Sequence, residues 1–334
     1  MSNRIEADTM GGTFARCVAI TLTAALWTTG AVAAENYPDR PIRMIVPFPA
    51  GGPTDIVGRT VAQHLAEIWG KTVVVDNRPG ASGTIGAEAM ARATPDGYTL
   101  MLGSNSIFAV NPAVFAKLPY DVFRDSAFLG MIGYGPHLLG VRASLPANNV
   151  AELIALAKKQ PGKLTFGSAG TGTIIHMAGE LFKYHAAIDI REIPFKGGAP
   201  ATVAMLSNEV DMMMNELSVF LTHIRSGRLR GLALAHPQRS TLVPEMPTFT
   251  EVGLREVEAG TWFGLAAAAK TPKAVLKRIT DALTLVFAKP EFNERLASIG
   301  MSRAEMTPEQ ATAYAKREIE KWTKLAQAIK MQPL

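Results

Sequence analysis

Two stretches of this chain share one arrangement: an apolar run, a short turn containing glycine, then apolar residues at helical spacing. In the first, residues 42–46 lead into PFPAGGPTD at 47–55, after which Ile56, Val57, Val61, Leu65 and Ile68 recur on one helix face. In the second, a short run at 164–167 leads into SAGTGT at 168–173, and a helical pattern covers 174–184. Such a turn sets residues without Cβ beside the unpaired backbone donors of a helix start, which is the makeup of an anion site. One turn of this kind is also an ordinary connection between strand and helix. Two of them could close on a single ligand from opposite sides.

The first 33 residues read as a leader rather than as fold. Arg4 and Arg16 precede an uncharged, mostly apolar stretch at 17–29, and Ala31, Val32 and Ala33 form a small-x-small cleavage pattern before Ala34. The stretch is shorter than the ~20 residues a membrane-spanning helix needs. A cleavable signal peptide and a periplasmic location are therefore expected. The single cysteine, Cys17, lies inside it, preceded by Phe14, Ala15 and Arg16, which form no lipoprotein processing box. The mature chain would then use neither disulfides nor thiol chemistry.

About 300 residues remain, 48% of the whole chain being hydrophobic and 19% charged, which suits a compact protein with a large core. The formal net charge is +5, and the basic residues do not cluster with aromatics, so a nucleic-acid partner is not expected. The excess suits mild attraction of small anions.

Strands and helices alternate along the chain. A β-branched run at 72–75 ends in Asn77-Arg78-Pro79-Gly80, a helix is expected over 85–93, a strand over 98–102, and a polar loop over 103–106. This pattern builds a parallel sheet from βαβ units, with loops 47–55, 77–84 and 103–106 gathered at the carboxyl ends of its strands. The apolar segment 128–141 has no helical period and reads as an extended crossover into a second domain. That domain opens with a helix over 150–159, capped by Asn149 and ended by Pro161-Gly162. The second glycine turn follows, then a strand over 190–194, the loop 195–198, a helix to Ser207, a strand over 210–214, a loop at Asn215-Glu216 and a strand over 229–235. A second extended segment, 261–269, carries the chain back, and helices over 272–288, 291–298 and 308–330 finish it. The expected fold class is α/β: lobe 1 from 34–136 plus 260–334, lobe 2 from 137–259, and a two-segment hinge around a ligand cleft.

PFPAGGPTD, NRPGASGTIGA, GSAGTGTIIHMAGELF, IPFKGGAPA and VPEMPTFTEVG, in this order from about Tyr37 to the C-terminus, resemble the extracytoplasmic receptors of tripartite tricarboxylate transporters, the Bug proteins. The resemblance implies a periplasmic-binding-protein fold, delivery of a solute to membrane permease subunits, and no catalysis. It also implies that backbone amides of the two glycine turns hold a carboxylate, here at Ala50, Gly51, Gly52, Pro53, Thr54 and Asp55 and at Ser168, Ala169, Gly170, Thr171, Gly172 and Thr173. Citrate, C4 dicarboxylates and aromatic acids are the candidate ligands.

Thr54, Ser168, Thr171 and Thr173 would add hydroxyl donors, while Ser104 and Asn105 could meet the far end of the ligand or simply form their turn. Asp55 is expected to favour its own helix start, because it would repel an anion. His176, one turn into its helix, could face the cleft or pack within the lobe. Lys196 is the positive charge of the loop it shares with Gly197. Many relatives carry an aspartate after the strand that here ends at Asn215-Glu216, so an amino-acid ligand is not expected. Met212, Met213 and Met214 read as sheet core.

An enzyme is the contrasting reading, since Ser168, His176 and Asp55 have the types of a nucleophile, base and orienting acid. No G-x-S-x-G elbow surrounds a serine, and the six histidines show no H-E-x-x-H or other metal-ligand spacing. Neither phosphate-loop motif is present, so no cofactor, metal or catalytic residue is expected. A receptor of the same fold could instead report to a membrane sensor kinase.

Overall fold

The computed structural model describes residues 36–304 and 306–334. The expected leader, 1–33, lies outside the described residues. Strand β1 (Ile42–Val46) carries side chains buried on both faces, which explains its almost unbroken apolar run. Helix α1 (Pro53–Trp69) starts on a proline, whose missing N–H would be unpaired there anyway, and stops at Gly70 in the left-handed conformation. Then come β2 (Val73–Asn77), α2 (Thr84–Ala91) and β3 (Thr99–Ser104). β1 pairs in parallel with β2 on one side and β3 on the other.

Residues expected as a polar loop after β3 instead complete the strand as far as Ser104, and a wide helical turn, Ser106–Val110, follows directly. The reason is burial: Ile107, Phe108, Ala109 and Val110 all enter the core, and Phe108 stacks on Trp262 at 5.8 Å. Helix α3 (Asn111–Val114) continues this turn.

Strand β4 (Ser126–Arg142) is 17 residues long and belongs to two sheets. Through Pro136 it pairs with β9 (Gly260–Ala268), extending the first sheet to β2-β1-β3-β9-β4. From His137 onward it pairs instead with β7 (Met212–Glu216) and β8 (Leu229–Leu234), both antiparallel. The second sheet continues from β7 to β5 (Thr165–Ser168) and β6 (Arg191–Pro194). One strand thus joins the two sheets, and the change of partner falls between Pro136, opposite Gly260, and His137, opposite Glu216.

The second sheet is covered by α4 (Val150–Lys159), α5 (Ile174–Ala186), α6 (Gly198–Leu206) and α7 (Leu217–Arg225). Asn149 caps α4 as expected, accepting from the Glu152 amide at 2.8 Å. Asn215 and Glu216, expected in a loop, are the last two residues of β7, because their backbone pairs with Leu138 and His137 of β4. The chain ends with α8 (Lys273–Ala288), α9 (Pro290–Ser298), the short β10 (Ser302–Arg303) and α10 (Pro308–Ala328), whose Thr307 and Gln310 make a capping box. Met212, Met213 and Met214 are fully buried, as sheet core. Among the described residues no helix is long and apolar enough to cross a membrane.

Candidate functional site

A pocket with about 410 Å³ of atom-free space, its open mouth included, lies where α1 and α5 begin, at the carboxyl ends of β1, β3, β5 and β7. The first turn contributes Phe48, Pro49, Gly52, Pro53 and Thr54. The second contributes Ala169, Thr173, Ile174 and Ile175, while Ser104, Ser106, Gly198, Ala199, Glu216 and Thr261 complete the wall. The two sheets face each other across this space.

The first turn is held by Asp55. Its Oδ2 accepts from the Gly51 amide and from Arg59 Nε, both at 2.9 Å, and its Oδ1 accepts from Asn77 Nδ2 at 2.9 Å. Asn77 also donates to the Phe48 carbonyl, tying the turn to β2. Burial alone would raise the Asp55 pKa, but hydrogen bonds from Arg59, Gly51 and Asn77 outweigh it and hold the carboxyl below the usual range. Gly51 stands at φ 79°, a conformation that costs any residue with a Cβ. Among the described residues, the amides of Gly52, Thr54 and Asp55 have no protein acceptor. Ala50 is exposed at the rim.

The second turn is held by Glu192 on β6. Ser168 Oγ donates to Glu192 Oε1 at 2.5 Å, and Thr171 Oγ1 donates to Oε2 at 3.2 Å. Both hydroxyls, expected to meet a ligand, are therefore engaged behind the turn. His176 is buried on the same side: Gly172 N donates to its Nδ1 at 3.2 Å, and its Nε2 lies 3.4 Å from Glu192 Oε2. Because Nδ1 accepts, the proton of the neutral ring sits on Nε2 and faces the carboxylate. Burial lowers the His176 pKa to about 4. Thr173 Oγ1 accepts from the His176 amide as the cap of α5 and donates to the Gly170 carbonyl. The Gly170 amide goes to Ser168 Oγ. The amides of Ala169, Thr171 and Ile175 have no acceptor among the described residues.

The lobes touch around the cavity. Ser82 Oγ donates to the Thr171 carbonyl at 2.6 Å, the Ile174 amide donates to Ser106 Oγ at 3.0 Å, and Gly197 lies against Pro49. Of the residues singled out in the sequence, Gly52, Pro53, Thr54, Ser104, Ala169 and Thr173 come together as cavity wall. Asn105 lies beside it, donating to the Gly260 carbonyl. Asn215 turns back to donate to Thr202 Oγ1, and Lys196 is exposed.

The wall also includes residues the sequence did not single out. Ser106, Ile174 and Ile175 are the first turns of helices, where a step of one residue decides which side chain faces in. Glu216 and Thr261 come from the ends of β7 and β9. Glu216 is 3% exposed; Thr261 Oγ1 donates to its Oε1, and Thr261 Oγ1 lies 2.8 Å from His137 Nε2. An acid closing an apolar run, VDMMMNE, was the available signal. Among the described residues, no group of three or more side chains is placed to hold a metal ion.

Two α/β lobes facing each other across a cavity at the sheet ends define the class of two-lobed solute-binding proteins. A model of the tripartite tricarboxylate transporter family receptor matches residues 57–331. The chain is 37% identical to Protein BugT of Bordetella pertussis over 87% of this chain and 90% of that one. A Rhodopseudomonas palustris protein solved with adipate superposes with a TM-score of 0.86 at 31% identity, covering 89% of this chain and 100% of that chain. MatC from the same organism, solved with bound malate, gives 0.83 at 28%, covering 86% and 99%. The chain belongs to the tripartite tricarboxylate transporter receptor family: it is a solute-binding receptor, not an enzyme.

Proposed function

We propose that this chain is a periplasmic receptor that captures a small organic carboxylate and delivers it to the membrane subunits of a tripartite tricarboxylate-type transporter. The ligand sits between one lobe of residues 34–136 plus 260–334 and another of residues 137–259. What carries this reading is that two helix starts, on different sheets, bring amides free of protein acceptors to one cavity, at Gly52 and Thr54 on one side and Ala169 and Ile175 on the other. Helix starts favour anions through these amides and through the aligned peptide dipoles. Each bond from such a donor to a carboxylate contributes on the order of 1.5 to 3 kcal/mol. Three or four of them, less the cost of association, correspond to roughly micromolar binding. The adipate- and malate-bound relatives support a carboxylate as the ligand class.

The test is a thermal-shift panel of mono-, di- and tricarboxylates on refolded protein, followed by the same panel on Gly52→Val. A ligand at 100 times its Kd adds about 2.7 kcal/mol of stability. A Cβ at position 52 meets only the Pro49 carbonyl, at 3.5 Å, so the variant keeps its fold while its side chain blocks the amides. The expected result is a shift in the parent that disappears in the variant. An equal shift in both would overturn the two-turn site, and a folded parent that responds to no carboxylate would overturn the ligand class.

A further inference from the structure

Glu216 is the one ionisable side chain in the cavity wall, and no lysine, arginine or histidine lines it among the described residues. Its Oε1 accepts from Thr261, while its Oε2 is buried without any hydrogen-bond partner. Glu216 belongs to the cavity wall, and an unpartnered carboxyl oxygen on it is a group the ligand can partner, because leaving it so is costly. The surroundings decide what. From β4, His137 faces it with Nε2 3.9 Å from Oε1, but that ring is fully buried. Burial, helped by Lys321, depresses the His137 pKa to about 3, so the ring stays neutral. From β9 comes only the Thr261 hydroxyl. Lys321 of α10 has its amino group on the Glu258 carbonyl at 3.0 Å and beside Glu318. The basic residues of α7, His223 and Arg225, sit in its last turn, at the far end from Glu216. Among the described residues no cation compensates this carboxyl.

We propose that Glu216 is the specificity-determining residue at the far end of the ligand: in its protonated form it donates from Oε2 to an acceptor oxygen, which makes the solute a dicarboxylate whose second carboxylate shares Glu216's proton. The proposal rests on the carboxylate site described above, which holds the first carboxylate. Desolvation already raises the Glu216 pKa to about 7. A second carboxylate alongside raises it further, since two like charges at contact cannot both stay ionised. The balance is one proton taken from water per dicarboxylate bound whenever Glu216 begins ionised. Glu216 also lies where β4 changes partner from one sheet to the other.

The experiment is calorimetric titration of adipate against hexanoate, and of succinate against butyrate, between pH 6 and pH 9, in two buffers of different ionisation heat. With a proton required, the apparent affinity of the dicarboxylate falls about tenfold per pH unit above pH 7 to 8, and the buffer pair reads proton uptake approaching one. The monocarboxylate of equal length shows neither effect. Glu216→Gln keeps the size and a permanent N–H donor, so it should bind the dicarboxylate at least tenfold more tightly than the parent at pH 9, with no pH slope. A parent without slope or proton uptake, or a Gln variant with the parent's slope, would overturn the proposal. So would tighter binding of an α-amino acid as pH rises, which would mean that an ionised Glu216 pairs with an ammonium group. Monocarboxylate binding that is lost in Gly52→Val leaves the two-turn site standing when only the Glu216 proposal fails. Folded protein that binds none of the four acids at any pH overturns both.

Discussion

In the turn after β1 the organising acid, Asp55, is compensated by a cation and two amide donors; in the turn after β5 the organising acid, Glu192, meets hydroxyls and a neutral imidazole. Asp55 lies within its own turn, with a side chain 4% exposed and Arg59 one helical turn away. Glu192 reaches in from the neighbouring strand, 17% exposed. The pKa values move in opposite directions. That of Asp55 is lowered, because donors and Arg59 overcome burial. That of Glu192 is raised, because burial outweighs the bonds from Ser168 and Thr171. Each acid leaves the free amides of its turn for a ligand by satisfying other donors itself. The first turn is thus built on a contacting ion pair, and the second on hydroxyl donors with Lys183 acting only at longer range.

The sharpest way to break this contrast is to remove each acid. In Asp55→Ala, the Gly51 amide and Asn77 Nδ2 lose a buried charged acceptor, which should cost on the order of 3 kcal/mol and open the turn. In Glu192→Ala the two hydroxyls and the imidazole lose theirs, but hydroxyls rotate to other acceptors, and the cost should be about half as large. Urea unfolding midpoints at pH 7 measure both. Equal losses would mean that the charge on Arg59 contributes nothing to the first turn.

Acid sharpens the contrast from the other side. His176 titrates near pH 4 in the folded protein and near 6.5 when unfolded, so between those values the unfolded chain binds the extra proton. Stability should therefore fall as pH drops from 6.5 to 4, by up to about 3 kcal/mol from this residue. Asp55 acts lower: its contribution is intact above its unfolded pKa near 4 and is lost as pH falls through the depressed folded value. His176→Gln should remove its part of the slope between pH 6.5 and 4, leaving those of His137 and His223, whose pKa values are also lowered, and the opposing ones of Glu192 and Glu216, whose pKa values are raised. Unfolding midpoints across that range that run parallel in parent and variant would show that His176 is not buried neutral.

Both turns were legible because glycine, proline and small polar residues interrupt apolar runs, and such punctuation is local. The cap Asn149 and the helix start at Ile174 were legible for the same reason, and the first helix, expected from near Thr54, starts at Pro53; Thr173, expected as a hydroxyl donor to the ligand, caps its helix instead. What was not legible depends on partners far away in sequence. Ser168 and Thr171 carry hydroxyls suited to a ligand, yet Glu192, on another strand, claims both. Asn215 and Glu216 look like a loop until β4 pairs with them. Nothing near position 216 announces that Thr261 and His137 will enclose it, because one comes from each crossing between the sheets. The polar stretch 103–106 misled in the same way: its backbone is drawn inward by the apolar residues that follow it.

The finest comparison lies in two glycines with almost the same φ, Gly51 at 79° and Gly172 at 82°. Alanine at either must hold a left-handed conformation, costing about 1 kcal/mol. A Cβ at Gly51 would meet nothing within 4 Å, so Gly51→Ala should show that strain and little more. A Cβ at Gly172 would stand 2.7 Å from Phe115 and 2.8 Å from the C-terminal Leu334, residues packed on the α3 side of the cleft. Leu334 is itself anchored there, exchanging backbone hydrogen bonds with Val114 and Ala116. Gly172→Ala therefore has to push the two sides apart or displace the C-terminus, and the lobe interface bears that cost. The expected outcome is a carboxylate affinity weakened severalfold in Gly172→Ala, with melting temperatures of the two ligand-free variants close together. If truncating Leu334 restores the affinity of Gly172→Ala, the contact with the C-terminus is the cause; if it does not, Phe115 alone sets how closely the second turn can approach.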